Sequence, residues 1–196
     1  MKTFRAFGPT LGKGRLSKKI IKVINDQVDK TIISKKNDYS ANLASQIKSE
    51  IKFSNSFIKK NISKELIKNI KDYLKRSDVK NIKEIKIINL WVVRQLKNEY
   101  NPIHYHGGEL SGVGYLKIPK NMNLNKMVKN KKIKTNGTID FINGQKNFLS
   151  KSIYNLNPKV GDLMIFPNYL MHAAYPFNIE GERRSFSFNI KIIFKK

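Results

Sequence analysis

The stretch EIKIINLWVVRQL, residues 84–96, marks the point at which the apolar pattern of the chain changes from helical to extended. It is rich in β-branched residues, which favour strands. Turn signals such as Asn101-Pro102 and Asn143-Gly144 separate the runs that come after it. Four further runs of the same type follow, namely SGVGYLKI (111–118), GTIDFI (137–142), DLMIFP (162–167) and RSFSFNIKIIF (184–194). This pattern predicts an antiparallel sandwich or barrel.

Upstream of this stretch, apolar residues recur at helical spacing. We predict three helices, each with an apolar stripe that faces the core, over residues 16–28, 39–53 and 62–76. No linker or internal repeat separates the two parts of the chain. The sequence therefore predicts one α+β domain over residues 1–196, in which a mainly helical lead (1–80) packs on one face of a β-rich core (84–194).

The composition excludes several classes of protein. Of the 196 residues, 40% are hydrophobic, which is enough for a packed core and argues against a disordered tail. Cysteine is absent, so disulfides, thiolate metal sites and a cysteine nucleophile are excluded. No apolar run approaches the roughly 20 residues of a membrane span, and the N-terminus lacks a signal-peptide core. We expect a cytoplasmic protein that does not associate with membranes.

The chain is strongly basic, with 39 basic and 14 acidic residues and a formal net charge of +25. Such an excess usually indicates a polyanionic partner. However, 33 of the basic residues are Lys and only six are Arg, and Asn and Ile are also abundant, which is what AT-rich codons produce. Because Arg is the better residue for bidentate phosphate contacts, we expect loose, salt-sensitive attraction to polyanions rather than specific nucleic-acid binding.

The densest acid-free segment is NKMVKNKKIK, residues 125–134, within a basic loop over residues 120–134. Two interpretations of this loop stay open. It covers a site and favours an acidic substrate, or it is a solvated loop with no role in binding.

The three histidines of the chain carry its most specific chemical signal. His104 and His106 form an H-x-H pair, and residues i and i+2 of a strand point to the same face. His172, in FPNYLMHAAYPF, can add a third imidazole from a facing strand. Neutral imidazole suits Fe, Zn, Cu and Ni. We therefore predict one shared metal site, against the alternative that each is an ordinary half-buried histidine.

A second pair lies downstream, where Arg183 and Ser185 form an R-x-S step at the start of a β run. On a strand both side chains face the same way and offer a guanidinium and a hydroxyl, which together suit a carboxylate. Arg184 is then expected on the opposite face. The alternative is that Arg183 is a surface charge beside Glu180 and Glu182.

Taken in order, H-x-H, SGVGYL, GDLMIFPNYLMH and ERRSFSFN resemble the 2-oxoglutarate/Fe(II)-dependent dioxygenases over roughly residues 85–194. The similarity is greatest to a prolyl-4-hydroxylase-like branch common in marine bacteriophages. The resemblance implies a double-stranded β-helix, a jelly-roll or cupin-like fold, with helices packed on one face. It also implies a hydroxylase that uses Fe(II) and converts 2-oxoglutarate and O2 to succinate and CO2, in the host cytoplasm if a phage encodes it.

The resemblance also implies roles for individual residues. His104 and His172 match the two metal histidines of the family. Arg183 matches the residue that binds the distal carboxylate of 2-oxoglutarate, and Ser185 matches its hydroxyl partner. Tyr115 stands where an aromatic residue often reaches that carboxylate, although Tyr115 and Trp91 fit a plain core role equally well.

His106 departs from the family pattern, because most members carry Asp or Glu at that position. Three interpretations follow. Three histidines hold the iron, with the dianionic co-substrate balancing its charge; or Glu109 supplies the carboxylate, with Gly107-Gly108 permitting the necessary turn; or the site is inactive. We favour three histidines.

Two competing functions share parts of this evidence. A cupin-type metal-binding protein would share the fold and the H-x-H pair but has no use for Arg183 and Ser185 inside the barrel. A basic polyanion-binding protein would not bring the histidines together. The substrate class (peptidyl residue, nucleobase or small metabolite) and the oligomeric state cannot be derived from the sequence.

Overall fold

Two antiparallel sheets and three helices make up the computed structural model, which describes residues 1–5, 8–34, 45–122, 132, 135–146, 148 and 151–195. The elements are, in chain order, β1 (Lys2–Arg5), β2 (Thr10–Arg15), α1 (Lys18–Ser34), β3 (Glu50–Lys52), α2 (Asn55–Asn61), α3 (Ser63–Arg76), β4 (Ile82–Gln95), β5 (Asn101–His104), β6 (Leu110–Lys117), β7 (Ile139–Ile142), β8 (Ile153–Leu156), β9 (Asp162–Pro167), β10 (Met171–Ala174) and β11 (Arg183–Phe194). The α+β class predicted from the sequence is confirmed.

The larger sheet has seven strands in the order β1-β2-β9-β6-β11-β4-β3, and the smaller has four in the order β5-β10-β7-β8. Side chains from both sheets meet in one apolar cluster, which includes Val113 and Phe166 of the larger sheet and Phe141 of the smaller. The two sheets are therefore the two walls of one sandwich, and the space between them is where the predicted site residues converge.

The helices cover the other side of the larger sheet. Strand β11 alternates, so that Phe186, Phe188 and Ile190 join the cluster formed by the apolar stripes of α1 and α3, while Arg183 and Ser185 face the smaller sheet. Burying an aromatic or aliphatic side chain of this size contributes about 1.5–3 kcal/mol. The packing of the helices thus fixes which face of β11 is turned inward.

Two glycines of the SGVGYL run allow this packing. A Cβ on Gly112 would overlap the ring of Phe188, and one on Gly114 would overlap the ring of Phe186. The two rings approach β6 this closely only because no side chain stands there. Val113 and Tyr115, which alternate with the glycines, consequently point to the inner face.

The predicted helix over residues 39–53 is wrong where the structure describes it. Residues 50–52 form β3, an edge strand that pairs with β4, and Gln46 makes an isolated antiparallel bridge to Tyr100. Ile47 and Ile51 are buried, but in strand-like surroundings. The edge of β4 offers backbone hydrogen bonds to this segment. Strand pairing with β4 therefore outweighs the helical spacing of its apolar residues. The part of the prediction over residues 39–44 lies outside the described residues.

The other two helix predictions correspond to α1 and α3. The lead differs from the prediction in two further respects: β1 and β2 precede the helices and extend the larger sheet beyond β9, and the short helix α2 was not predicted. The basic segment 125–134 lies outside the described residues except for Lys132. Among the helices that the structure describes, none is long and apolar enough to cross a bilayer.

Candidate metal and co-substrate site

The three histidines lie together between the sheets. His104, at the end of β5, is the direct pairing partner of His172 in β10, and His106 follows β5 by two residues. One ring nitrogen from each of the three falls within 4.8 Å of the others. Ring centroids are 4.2 Å apart for His104 and His172, 4.9 Å for His104 and His106, and 5.0 Å for His106 and His172. The convergence predicted from the H-x-H spacing is what the structure shows.

Two of the imidazoles are held by a backbone carbonyl two residues earlier in the chain. His104 Nδ1 donates to the carbonyl of Pro102 at 2.7 Å, and His172 Nδ1 donates to the carbonyl of Leu170 at 2.9 Å. With the proton on Nδ1, the lone pair is on Nε2, which faces the shared centre. His106 Nε2 lies 3.2 Å from His172 Nε2.

Burial keeps the rings neutral. It lowers the pKa of His172 to about 3 and that of His106 to about 4, and it lowers the pKa of His104 as well; the neighbouring imidazoles add to the effect on His106 and His172. At neutral pH the three therefore present unprotonated nitrogens. A set of three neutral imidazoles at this spacing has the donor chemistry that a divalent transition metal requires.

The histidines line one cavity of about 250 Å³, and Arg183 lines it too. Arg183 is only 4% exposed. Its Nη1 donates to the carbonyl of Gly137 at 2.7 Å, while its Nε has no partner. Burial lowers the pKa of Arg183. Within the part of the chain that the structure describes, no acidic side chain forms an ion pair with Arg183.

The alternative that Arg183 is a surface charge is therefore wrong. The two acids proposed as its neighbours are engaged elsewhere: Glu182 binds Arg184 at 2.7 Å and Arg94 at 2.9 Å, and Glu180 binds Lys97 at 2.8 Å. Arg184 faces away from the cavity, as strand alternation predicts. A buried, unpaired guanidinium is costly unless an anion completes it, so this end of the cavity fits a carboxylate ligand.

Ser185 and Tyr115 stand beside Arg183. They are register partners across β11 and β6, and both line the cavity. Burial raises the pKa of Tyr115 to about 12, so its phenol stays protonated and is able to donate. One end of the cavity thus offers a guanidinium and two hydroxyls, with the imidazoles further along.

The sequence matches a family model described as "Putative 2OG-Fe(II) oxygenase" over residues 89–189, more than half of the chain. The chain belongs to this oxygenase family. The predicted enzyme class, a 2-oxoglutarate/Fe(II)-dependent oxygenase with those two cofactors, is confirmed. No curated protein matches the sequence significantly.

Solved structures of similar fold include several oxygenases. The viral collagen prolyl hydroxylase of Paramecium bursaria chlorella virus 1, solved with 2-oxoglutarate, has a TM-score of 0.60 at 18% identity, over 93% of this chain and 96% of that one. A Pseudomonas putida prolyl-4-hydroxylase gives 0.59 at 10% identity, over 95% and 93%. HygX of Streptomyces hygroscopicus, with nickel and 2-oxoglutarate bound, gives 0.59 at 12% identity, over 95% and 83%. These similarities confirm the double-stranded β-helix.

In this oxygenase, Glu109 lies apart from the histidine cluster. Gly108 adopts a φ of +88°, so the chain does turn there. The turn directs Glu109 onto β11, where its backbone N–H donates to the carbonyl of Ile190 and its carboxylate accepts from the N–H of Ile192 at 2.8 Å. The carboxylate is thus engaged with the backbone of the larger sheet.

Sequence analysis missed five polar residues that line the cavity, namely Ser45, Glu50, Asn101, Tyr105 and Ser187. Glu50 is 1% exposed, and its carboxylate accepts from the Ser45 hydroxyl at 2.6 Å. Asn101 Nδ2 lies 3.4 Å from His104 Nε2, and its Oδ1 is buried without a partner. No local signal marks Glu50, because in IKSEIKF it alternates with Lys48 and Lys52, on the face opposite Ile47, Ile51 and Phe53.

Proposed function

We propose that His104, His106 and His172 hold the Fe(II) of this oxygenase and that Arg183 holds the distal carboxylate of 2-oxoglutarate, so that the cavity hydroxylates a substrate C–H bond. One observation carries the proposal. Three neutral imidazoles line the same cavity as a buried guanidinium that has no acidic partner among the described residues. Neither feature suits a folded core by itself, and together they fit a metal and a dicarboxylate.

Groups of the chain itself orient the side chains at both the metal position and the 2-oxoglutarate position. The carbonyls of Pro102 and Leu170 fix the orientation of His104 and His172, so their Nε2 atoms are aimed before a metal arrives. Because all three imidazoles are neutral, the charge of the metal is left for the co-substrate to balance. His106, rather than a carboxylate, is supported as the third ligand because it clusters with His104 and His172, whereas Glu109 accepts from the backbone of β11.

At the far end, Arg183 has donors beyond the one that binds Gly137, and its Nε is unused. Ser185 and Tyr115 add two hydroxyl donors. Charge-assisted hydrogen bonds of this kind contribute about 1.5–3 kcal/mol each to binding. When bound, Fe(II) with 2-oxoglutarate supplies the oxidation of the substrate, coupled to formation of succinate and CO2. The apolar walls, including Ile139 and Phe166, keep water away from the centre.

Anaerobic reconstitution tests the assignment. Fe(II) is added, then 2-oxoglutarate, and the absorbance of the iron–co-substrate complex is titrated before O2 is admitted and succinate is measured. We expect saturable binding and succinate release by the wild type, and binding of 2-oxoglutarate weaker by about tenfold or more in Arg183→Ala. Arg76→Ala, which removes an exposed arginine from α3, is the matched control. Equal succinate release by wild type and Arg183→Ala, with no absorbance change, would contradict the proposal.

A peptidyl substrate is supported by the prolyl hydroxylases among the structural neighbours, one of which, from Trichoplax adhaerens, was solved with a peptide fragment of hypoxia-inducible factor. A nucleobase and a small metabolite are the alternatives. One structural neighbour is a viral enzyme, from a chlorella virus. Phage origin and cytoplasmic localisation both stay predictions.

A further inference from the structure

A second concave surface, the α1–α3 groove, lies on the helix side of the larger sheet. One wall comes from residues 15–23, which include the start of α1, and the other from residues 60–72 of α2 and α3. Its volume is about 1020 Å³, and none of the residues that line it lines the histidine cavity. The groove is therefore separate from the catalytic centre.

Four exposed lysines line the α1–α3 groove. Lys19 stands on the α1 wall, whereas Lys60, Lys64 and Lys68 follow one another at intervals of four residues on the other wall. Side chains four residues apart on a helix are neighbours on one face, and like charges at that spacing destabilise the helix. The lysine row thus costs stability in the isolated chain, and a bound anion would relieve that cost.

The acidic residues of the groove are engaged within the chain. Glu65 accepts from the backbone N–H of Ser17 at 2.8 Å and from its hydroxyl at 2.6 Å, and Asp72 pairs with Arg76 at 3.0 Å. Among the described residues, none forms an ion pair with any of the four lysines. The groove therefore keeps a positive charge that the chain itself does not neutralise, and it attracts anions.

The floor of the groove is apolar. Leu16 and Ile20 are buried there, and Val23 is half-buried. Protein interfaces commonly combine an apolar centre with a polar rim. An aliphatic floor between rows of lysines accordingly fits a ligand that carries both carboxylates and aliphatic side chains.

Two other anionic or self-complementary occupants fit less well. No described residue that lines the groove is aromatic, so nucleic-acid bases have no stacking platform, and its arginine, Arg15, already pairs with Asp162. A second copy of the chain carries a net charge of +25 and is repelled.

We propose that the α1–α3 groove is a docking site for an acidic, partly apolar peptide segment of a partner protein. Carboxylates of the segment pair with the lysine row, and its aliphatic side chains cover the floor. The segment binds on the opposite side of the larger sheet from the histidines, so docking leaves the catalytic cavity open. This inference does not depend on the assignment of the metal and 2-oxoglutarate positions.

Fluorescence anisotropy with labelled probes tests the proposal. The probes are a short peptide of Glu and Leu, its analogue with Gln in place of Glu, an all-Glu peptide, and oligothymidylate of equal charge. At about 0.1 M salt we expect the Glu/Leu peptide to bind at least about tenfold more tightly than each of the others. Equal binding of the all-Glu peptide would show that the floor has no role. A preference for oligothymidylate, or displacement by phosphatidylglycerol vesicles, would assign a nucleic acid or a membrane instead. Each of these results contradicts the proposal.

Charge reversal locates the binding on the protein. We expect Lys64→Glu with Lys68→Glu to weaken binding of the Glu/Leu peptide by about tenfold or more. The control is Lys146→Glu with Lys151→Glu, which changes the net charge equally at two exposed lysines between β7 and β8 and should cost less than about threefold. Equal losses would show that net charge alone attracts the peptide and would overturn the assignment of the groove.

A second measurement keeps the result independent of folding. The groove variant should bind 2-oxoglutarate in the anaerobic absorbance titration as the wild type does, because the two sites share no lining residue. A parallel loss of 2-oxoglutarate binding would show that the lysines act through the fold, against a local docking role. Should the groove variant fail to fold, the preference of the wild type among the four probes still decides the matter.

Discussion

Two neighbouring arginines lie on opposite faces of β11, and their electrostatic environments differ. Arg184, on the helix side, donates to Glu182 at 2.7 Å and to Asp29 at 2.8 Å; burial by itself would lower its pKa, but these carboxylates outweigh it and raise the pKa. Arg183, on the cavity side, is equally buried, and burial lowers its pKa, while in the described part of the chain no acid forms an ion pair with it. A buried charge that the chain itself neutralises belongs to the scaffold. One that the chain leaves unneutralised indicates a ligand.

The largest expected effect is on the helix side. Arg184→Met removes the partner of Glu182 and leaves that buried carboxylate with Arg94 and a distant Lys117. We expect the free energy of unfolding, measured by urea denaturation, to fall by about 3 kcal/mol, the lower end for a broken buried pair, because Arg94 remains. Binding of 2-oxoglutarate by the folded fraction should be unchanged. A loss below about 1 kcal/mol would show that this cluster does not stabilise the scaffold.

The matching substitution on the cavity side, Arg183→Met, should weaken ligand binding and spare the stability of the fold. Arg183→Met replaces an unpaired buried cation with an apolar side chain of similar length. We expect the ligand-free protein to unfold with a free energy within about 1 kcal/mol of the wild type, or higher, while 2-oxoglutarate binds about 10- to 100-fold more weakly. Urea denaturation and the anaerobic absorbance titration measure the two effects. A variant that is destabilised as strongly as Arg184→Met would abolish the contrast.

Ser185→Ala tests how much a second group on the cavity face contributes to ligand binding beside Arg183. Its hydroxyl is one neutral donor beside Arg183, so we expect 2-oxoglutarate affinity to fall only several-fold, equivalent to about 0.5–1.5 kcal/mol. Ser187→Ala lies two residues further along the same face and is the control. If both variants bind 2-oxoglutarate as the wild type does, the distal carboxylate does not reach Ser185.

The smallest expected effect is on acid stability. Burial alone would raise the pKa of Glu182, but hydrogen bonds from Arg184 and Arg94 outweigh it and hold that pKa below its usual value of 4.5. A depressed pKa in the folded state contributes stability above the unfolded value, and this is lost as the pH falls through the folded pKa. Glu182→Gln should therefore flatten the loss of stability below pH 4.5, shifting the acid midpoint by less than about one pH unit. An unchanged acid midpoint would show that Glu182 is not a source of acid sensitivity.

Strand alternation was sufficient to predict much of the site. It placed His104 and His106 on one face and set Arg183 and Arg184 on opposite faces, and the structure shows both arrangements. The family resemblance supplied the fold and the pairing of His104 with His172, which are 68 positions apart and which no local pattern connects.

The Glu50 end of the cavity could not be predicted in the same way. Its position depends on β3 joining the edge of β4 and on Gln46 bridging to Tyr100, and these are long-range pairings that local periodicity does not encode. The same holds for β1 and β2, whose pairing extends the larger sheet at its other edge. The helical spacing of Ile47 and Ile51 was a coincidence, because this segment meets the core by strand pairing.

The tethers of His104 and His172 to carbonyls just two residues earlier have a consequence for how such a centre persists. In each case the tripeptide that carries the imidazole also sets the orientation of the ring. No distant side chain therefore has to be conserved to orient it. The surrounding parts of the barrel can then change in sequence while the two imidazole nitrogens keep their orientation towards the metal position. A site built in this way can be kept during evolution while most of the surrounding sequence diverges.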